Sequence, residues 1–246
     1  MDASAVIKTL TLDEIIDDLV VRFIINVPDV ELAEVERIGF QVEAAHWYYE
    51  DFIRPIRPDL PSIKSKQFST RIFQHCSILS QLELDKAYSD FMKYKRSIPV
   101  CGAIILNRKK DKCVMVLDWN RTNWGFPKGK INEDEEKHDC AVREVYEETG
   151  FDITPYLKKD EFSEIQVADQ VIRLYFVVGV PEDTVFQTQT RKEISEIKWK
   201  SLSDLPAYSE HNDKKFSKHK YPIKCEGYRG VAPFVGKIKH FLNSKR

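Results

Sequence analysis

Glu144, Glu147 and Glu148 are spaced at i, i+3 and i+4, so on a helix their carboxylates crowd one face. Three such groups repel one another unless a cation lies among them. Hard oxygen donors of this kind suit Mg²⁺ or Mn²⁺, with water and substrate phosphates completing the shell. The matching chemistry is metal-assisted attack of water on a phosphoanhydride, where the ion neutralises charge on the phosphoryl oxygens and orients the nucleophile. Arg143 stands one turn before Glu147 and can orient that carboxylate rather than touch substrate. Glu135 falls off the ligand face and reads as a supporting residue. Lys128 and Lys130 flank Gly129 and are candidates for phosphate contact. Solvated loop lysines are the competing reading for Lys128, as a solvated acidic helix face is for the glutamates.

These residues sit in a longer pattern. Gly129, Glu135, Arg143-Glu144-Val145, Glu147-Glu148 and Gly150-Phe151 fill the fixed positions of the Nudix box, the signature of Mg²⁺-dependent pyrophosphate hydrolases. The chain resembles that family. The spacing predicts a helix over 135–149, with Asp134 as N-cap and Gly150 ending it in the left-handed conformation. Ala141, Val142, Val145 and Tyr146 form the face that packs on a sheet.

The elements that must position this helix read in two parts. Over 1–95 the apolar residues recur at helical spacing, from the capping-box sequence Thr11-Leu12-Asp13-Glu14 into Ile15, Ile16, Leu19, Val20 and Phe23. A second helix restarts at Pro28-Asp29 and stops before Pro55; further helices follow around Phe68–Phe73 and Ala87–Met92. Residues 96–100, charged and then proline-bearing, read as a hinge. Beyond it, β-rich runs at 100–106, 113–118, 162–167, 171–180 and 194–202 flank the box helix, and a last helix covers about 232–242. The expected class is α+β: a small all-helical domain over 1–95, then a Nudix α/β/α sandwich over 101–246 ending in a basic helix.

Composition narrows the setting. The 246 residues have a net charge of −1, which gives no global electrostatic reason to bind nucleic acid. Five scattered cysteines without a C-x-x-C pair read as free thiols in a reducing compartment. No apolar run approaches a membrane span and no secretory pattern opens the chain, so an intracellular protein without a membrane partner is expected.

Trp124-Gly125-Phe126-Pro127-Lys128-Gly129-Lys130, Thr190-Arg191-Lys192-Glu193-Ile194 and the block Val35-Glu36-Arg37 through Ala45-His46-Trp47-Tyr48-Tyr49-Glu50-Asp51-Phe52 extend the likeness over nearly the whole chain. Together they resemble the catalytic subunits of the eukaryotic mRNA-decapping complex. The resemblance implies hydrolysis of the 5′ cap, releasing 7-methyl-GDP and leaving 5′-monophosphate RNA. It implies Glu193 as general base beside Glu147 and Glu148, an exposed loop glutamate being the alternative. It also implies Trp47 and Asp51 as cap-binding residues. One helical face would then stack an indole on the cationic 7-methylguanine and offer a carboxylate to its Watson–Crick edge. Burial in the core is the competing reading for Trp47. Such a cap site requires the helical domain to close over the catalytic one about the hinge.

By the same resemblance, the basic stretch with Lys214, Lys215, Lys218 and Lys220 corresponds to an RNA-binding segment, and Tyr228 to a further cap- or base-stacking residue. Exposed apolar residues of the first helices, including Phe23 and Ile24, would dock a small decapping-activator subunit. Further decapping enhancers, cytoplasm with processing bodies, and the nucleus as a second location belong to the same expectation. Members of that family often carry a long disordered carboxy-terminal tail, which these residues do not include. Two rival readings stand beside it: a Nudix hydrolase of free nucleotides or dinucleoside polyphosphates, and a catalytically silent RNA-binding module.

Overall fold

Strand β1 (Val100–Asn107) is buried along its whole length. A strand buried on both faces needs a layer on each side, and this one has both. In the computed structural model, which describes residues 7–206, 227, 228 and 230–245, Ala103 and Ile105 point to one face with Val114, Val145 and Val177. Ile104 and Leu106 point to the other with Met115, Leu174, Phe176 and Phe234. The period-two alternation of side chains across a strand produces this division.

Around β1 the sheet contains β2 (Lys112–Asp118), β3 (Trp124–Gly125), β4 (Lys128–Lys130), β5 (Phe162–Val167), β6 (Gln170–Val180) and β7 (Ile194–Ser201). Its main path runs β3-β2-β1-β6-β5, with β4 on β1 and β7 on β2. The β1–β6 pair is parallel and the other pairs are antiparallel. Helix Lys137–Thr149 covers one face through Val145, and helix Ala232–Ser244 covers the other through Phe234, Val235 and Ile238. The result is an α/β/α sandwich.

The amino-terminal part is helical: α1 (Leu12–Val20), α2 (Val35–Tyr48), α3 (Ser65–His75) and α4 (Leu84–Ser97). With these names the two sandwich helices are α5 (Lys137–Thr149) and α6 (Ala232–Ser244). Thr11 and Glu14 form a reciprocal capping box at the start of α1, with Thr11 N donating to Glu14 Oε2 at 2.7 Å. Both α1 and α2 run on into five-residue π-turns, Val21–Ile25 and Tyr49–Ile53. The core contains Ile16, Leu19, Ile24, Ala45, Tyr49, Phe68 and Ile72, and the buried Tyr49 hydroxyl donates to Pro61 O at 2.7 Å. Gly39 is required for close packing, because a Cβ there would come within 2.2 Å of the Phe91 ring. The chain divides into two compact units, 1–97 and 98–246.

Several local expectations change. The helix expected from Pro28 is broken: Asp29–Leu32 forms a 3₁₀ turn, and α2 starts at Val35. Helix α5 begins two residues later than expected, and Asp134 does not cap it. Asp134 has φ +57°, while Glu136 takes the extended N-cap conformation without a side-chain bond. Glu135 is drawn off the helix by Arg143 and the Asn132 amide. Tyr146, expected against the sheet, is 50 % exposed, and Cys140, Glu148 and Thr149 are buried instead. Ile24 is fully buried in the helical core and Phe23 packs beside it, so Ile24 is no part of an exposed docking face. The lysines at 214, 215, 218 and 220 lie outside the described residues.

Candidate active site

Helix α5 places its glutamates in three different environments. Glu148, 6 % exposed, points into the interface with β4, and its Oε2 accepts the Lys128 N–H at 3.1 Å. Burial, reinforced by the charges of Glu193 and Glu144 and opposed by Lys128, pushes its pKa up to about 8. Glu144, one turn earlier, is raised too: burial dominates, Glu147 and Glu193 add to it, and the Arg143 guanidinium works against it. Glu147 is the more exposed of the three. Burial is thus the main reason that Glu144 and Glu148 are costly to ionise in the metal-free protein.

Gly129 makes the arrangement possible. A Cβ at this position would lie 1.9 Å from Glu144 Oε2, so only a residue without a side chain lets β4 run against that carboxylate. Gly102 does the same behind it, where a Cβ would meet Pro127 O at 2.1 Å. Lys128 and Lys130 occupy β4 opposite Gly102 and Val100. Lys128 faces Glu148 through its backbone amide and influences it through its charge.

Arg143 ties the cluster together. Its Nε and Nη2 each donate to Glu135 at 2.8 Å, a bidentate pair, and Nη2 also reaches Lys130 O at 3.0 Å. Nη1 donates to Glu144 Oε1 at 2.7 Å and Glu147 Oε2 at 3.3 Å. One guanidinium thereby links the preceding loop, β4 and two turns of α5. Glu135, held below the usual carboxylate range mainly by that guanidinium, is an anchor for it.

Glu193 comes from a distant stretch of chain, delivered by a loop stitched to the end of α5. The last carbonyls of a helix lack intrahelical partners. Here Gln187 N donates to Thr149 O at 2.9 Å, and Gln189 N to Glu147 O at 2.8 Å. Thr188 and Thr190 hydroxyls pair at 2.9 Å and brace the same loop. Gly150, at φ +68°, ends the helix where a Cβ would come within 2.5 Å of Gln187 O. Glu193 lies close enough to Glu144 and Glu148 to raise the proton affinity of both.

The donor set suits a hard divalent cation: buried, crowded carboxylate oxygens with raised proton affinity, in a strand–helix cradle where a glycine leaves room. Among the described residues no three acidic, histidine or cysteine side chains converge into a metal cage, Glu144 and Glu147 being held by Arg143. Glu144, Glu147 and Glu148 are the residues that would hold the ion, which would supply charge neutralisation and a polarised water.

In the helical unit, Trp47 is 58 % exposed on α2, with Lys95 Nζ 5.6 Å from its ring centroid. Lys95 in turn pairs with Glu43. Asp51 follows in the π-turn. Tyr228 is half-buried and packs against the face of the sheet covered by α6. Burial raises its hydroxyl pKa. Sequence reasoning missed the Gln187–Gln189 stitching and the loop carrying Trp119, because both depend on backbone pairing between distant segments.

Residues 97–220 match the NUDIX domain model, half of the chain. The chain belongs to the Nudix family. Residues 14–94 of this Nudix protein match a second model, the Dcp2 box A domain. It is 43 % identical over 238 residues to the mRNA decapping complex subunit 2 of Schizosaccharomyces pombe, covering 96 % of this chain and 31 % of that protein. It is 43 % identical over 237 residues to the mRNA-decapping enzyme subunit 2 of Arabidopsis thaliana, covering 93 % and 60 %. It is 42 % identical over 191 residues to the m7GpppN-mRNA hydrolase of Saccharomyces cerevisiae, covering 77 % and 20 %. The chain thus spans between a fifth and three-fifths of the length of these relatives.

Proposed function

We propose that this Nudix protein hydrolyses the 5′ cap of mRNA, releasing 7-methyl-GDP and 5′-monophosphate RNA. The observation that carries the reading is the glutamate cluster of α5 packed against Gly129, with Glu148 buried, in a chain whose helical part matches the Dcp2 box A domain. Relatives named as an mRNA decapping complex subunit and an mRNA-decapping enzyme subunit, alike over more than nine-tenths of the chain, support the substrate class.

The following roles belong to the same proposal. Glu144, Glu147 and Glu148 would hold Mg²⁺ or Mn²⁺, which would supply charge neutralisation at the pyrophosphate. Glu193, on its stitched loop, takes the proton of the attacking water. Lys128 and Lys130 line the phosphate path. Arg143 and Glu135 position the ligands rather than touch substrate. Trp47 stacks on the cationic 7-methylguanine and Asp51 accepts from its edge. Tyr228 adds to the cap-binding set, and the lysines at 214, 215, 218 and 220 serve the RNA body. The partners are capped mRNA, a small activator subunit on the helical domain (1–95, linked through 96–100 to the catalytic 101–246) and further enhancers. The expected location is the cytoplasm, including processing bodies. Among the described residues no helix is long and apolar enough to cross a membrane.

The test is a product assay on cap-labelled RNA with Mg²⁺, Mn²⁺ or EDTA. Metal-dependent release of 7-methyl-GDP is the expected result. Release of 7-methyl-GMP, or a preference for free cap dinucleotide over capped RNA, refutes the reading.

A further inference from the structure

Trp119 is a large aromatic residue left 51 % exposed in the catalytic unit. Most of its aromatic neighbours in chain and sheet, such as Phe126, Tyr175 and Phe234, are packed away. Phe162, the other exposed ring among the sheet residues, has the Arg173 guanidinium 3.9 Å from its centroid. Among the described residues no ring or cation is stacked on Trp119.

Its backbone is fixed with unusual care. The preceding Asp118 carboxylate accepts from Thr122 N and Thr122 Oγ1, both at 2.6 Å, and from Asn123 N at 3.1 Å. Those bonds lower its pKa and hold the 118–123 turn closed. Ser195 Oγ donates to Asp118 O at 2.7 Å, tying the turn to β7. Trp119 N donates to Glu193 O at 2.8 Å. The β2–β7 pairing ends at Asp118 opposite Ile194, after a register shift between Leu117 and Asp118, and this bond lies one residue beyond it on each side. The Trp119 backbone is therefore joined directly to that of Glu193, whose charge bears on Glu144 and Glu148.

We propose that Trp119 is a base-stacking residue next to the Glu193 loop, and that it takes the base of the first transcribed nucleotide whatever its identity. The proposal rests on the decapping reading. A capped substrate presents one base on each side of the pyrophosphate. The 7-methylguanine is assigned to Trp47 and Asp51, which leaves the RNA-side base for an exposed aromatic held to the Glu193 backbone. A rigid turn presents the ring with little ordering entropy left to lose, and stacking tolerates any base because every base has a π-face.

The experiment compares wild type, Trp119→Ala and Trp119→Phe on capped RNA whose first transcribed residue carries either a base or an abasic sugar. Inhibition by 7-methyl-GDP is measured in parallel. Trp119→Ala should lose roughly tenfold in kcat/KM on base-bearing RNA, within the range of single base–aromatic stacks. The abasic substrate should lower wild type by a similar factor and leave Trp119→Ala nearly unchanged. Trp119→Phe should recover most of the activity, and 7-methyl-GDP inhibition should not change. Equal activity of Trp119→Ala and wild type overturns the proposal, as does the same loss on abasic RNA, or weakened 7-methyl-GDP inhibition. If wild type itself releases no 7-methyl-GDP from base-bearing RNA, the decapping reading falls with it. If wild type does and only the Trp119 comparison fails, that reading stands.

Discussion

Replacing Glu148 by Gln should make the metal-free protein less sensitive to alkaline pH while abolishing hydrolysis. The folded-state pKa of Glu148 is raised from the ordinary 4.5 to about 8 by burial. A carboxyl with a raised folded pKa binds more protons folded than unfolded between those values, so stability falls as pH rises through the window. At about 1.4 kcal/mol per pKa unit, the part of that shift lying between pH 5 and pH 8 amounts to roughly 3–4 kcal/mol. Glutamine keeps the shape, its oxygen can still accept the Lys128 amide, and it cannot ionise. Urea unfolding in EDTA at pH 5, 6, 7 and 8, followed by tryptophan fluorescence, should give wild type a steeper decline than Glu148→Gln by that amount. Comparing slopes removes the constant offset of burying an amide. Saturating Mg²⁺ should stabilise wild type at pH 8 and leave the variant unmoved, because the metal replaces the missing proton. Parallel pH profiles in EDTA would refute the claim that this carboxylate is costly to ionise, and with it the physical basis of the metal assignment.

Gly129→Ala should separate catalysis from stability. The new methyl displaces the Glu144 carboxylate, the end of a flexible side chain, rather than backbone. Turnover should fall at least tenfold, with Tm within a few degrees of wild type. A fully active variant would show that Glu144 does not need its present position. Arg143→Ala strips the cation from Glu135, Glu144 and Glu147 at once. Since these side chains are partly solvated, roughly 2–3 kcal/mol of destabilisation is expected by chemical denaturation. Arg143→Lys should recover little of it, for lack of the bidentate fork. Equal stability of wild type and Arg143→Ala would remove the guanidinium from its organising role.

Residue types along one stretch of chain were enough to read the glutamate trio, because i, i+3 and i+4 spacing fixes a shared helical face whatever surrounds it. The box glycines, the strand runs from Val100 onward and the helical periodicity before residue 97 are legible for the same reason: each depends on neighbours in sequence. Tertiary structure decided which of those helical positions were buried. Tyr146 turned outward and Glu148 inward because α5 is rotated on the sheet by the packing of Ala141 and Val145, a choice that periodicity leaves open by about one residue. It also decided that Asp134 adopts a left-handed conformation and leaves the cap, since Glu135 is held by an arginine eight residues on. The pairing of Trp119 with Glu193, and of the Gln187–Gln189 loop with the end of α5, depended on hydrogen bonds between backbone groups distant in sequence. Backbone groups are the same in every residue, so no pattern of side chains announces where such bonds will form; the folded chain alone selects them.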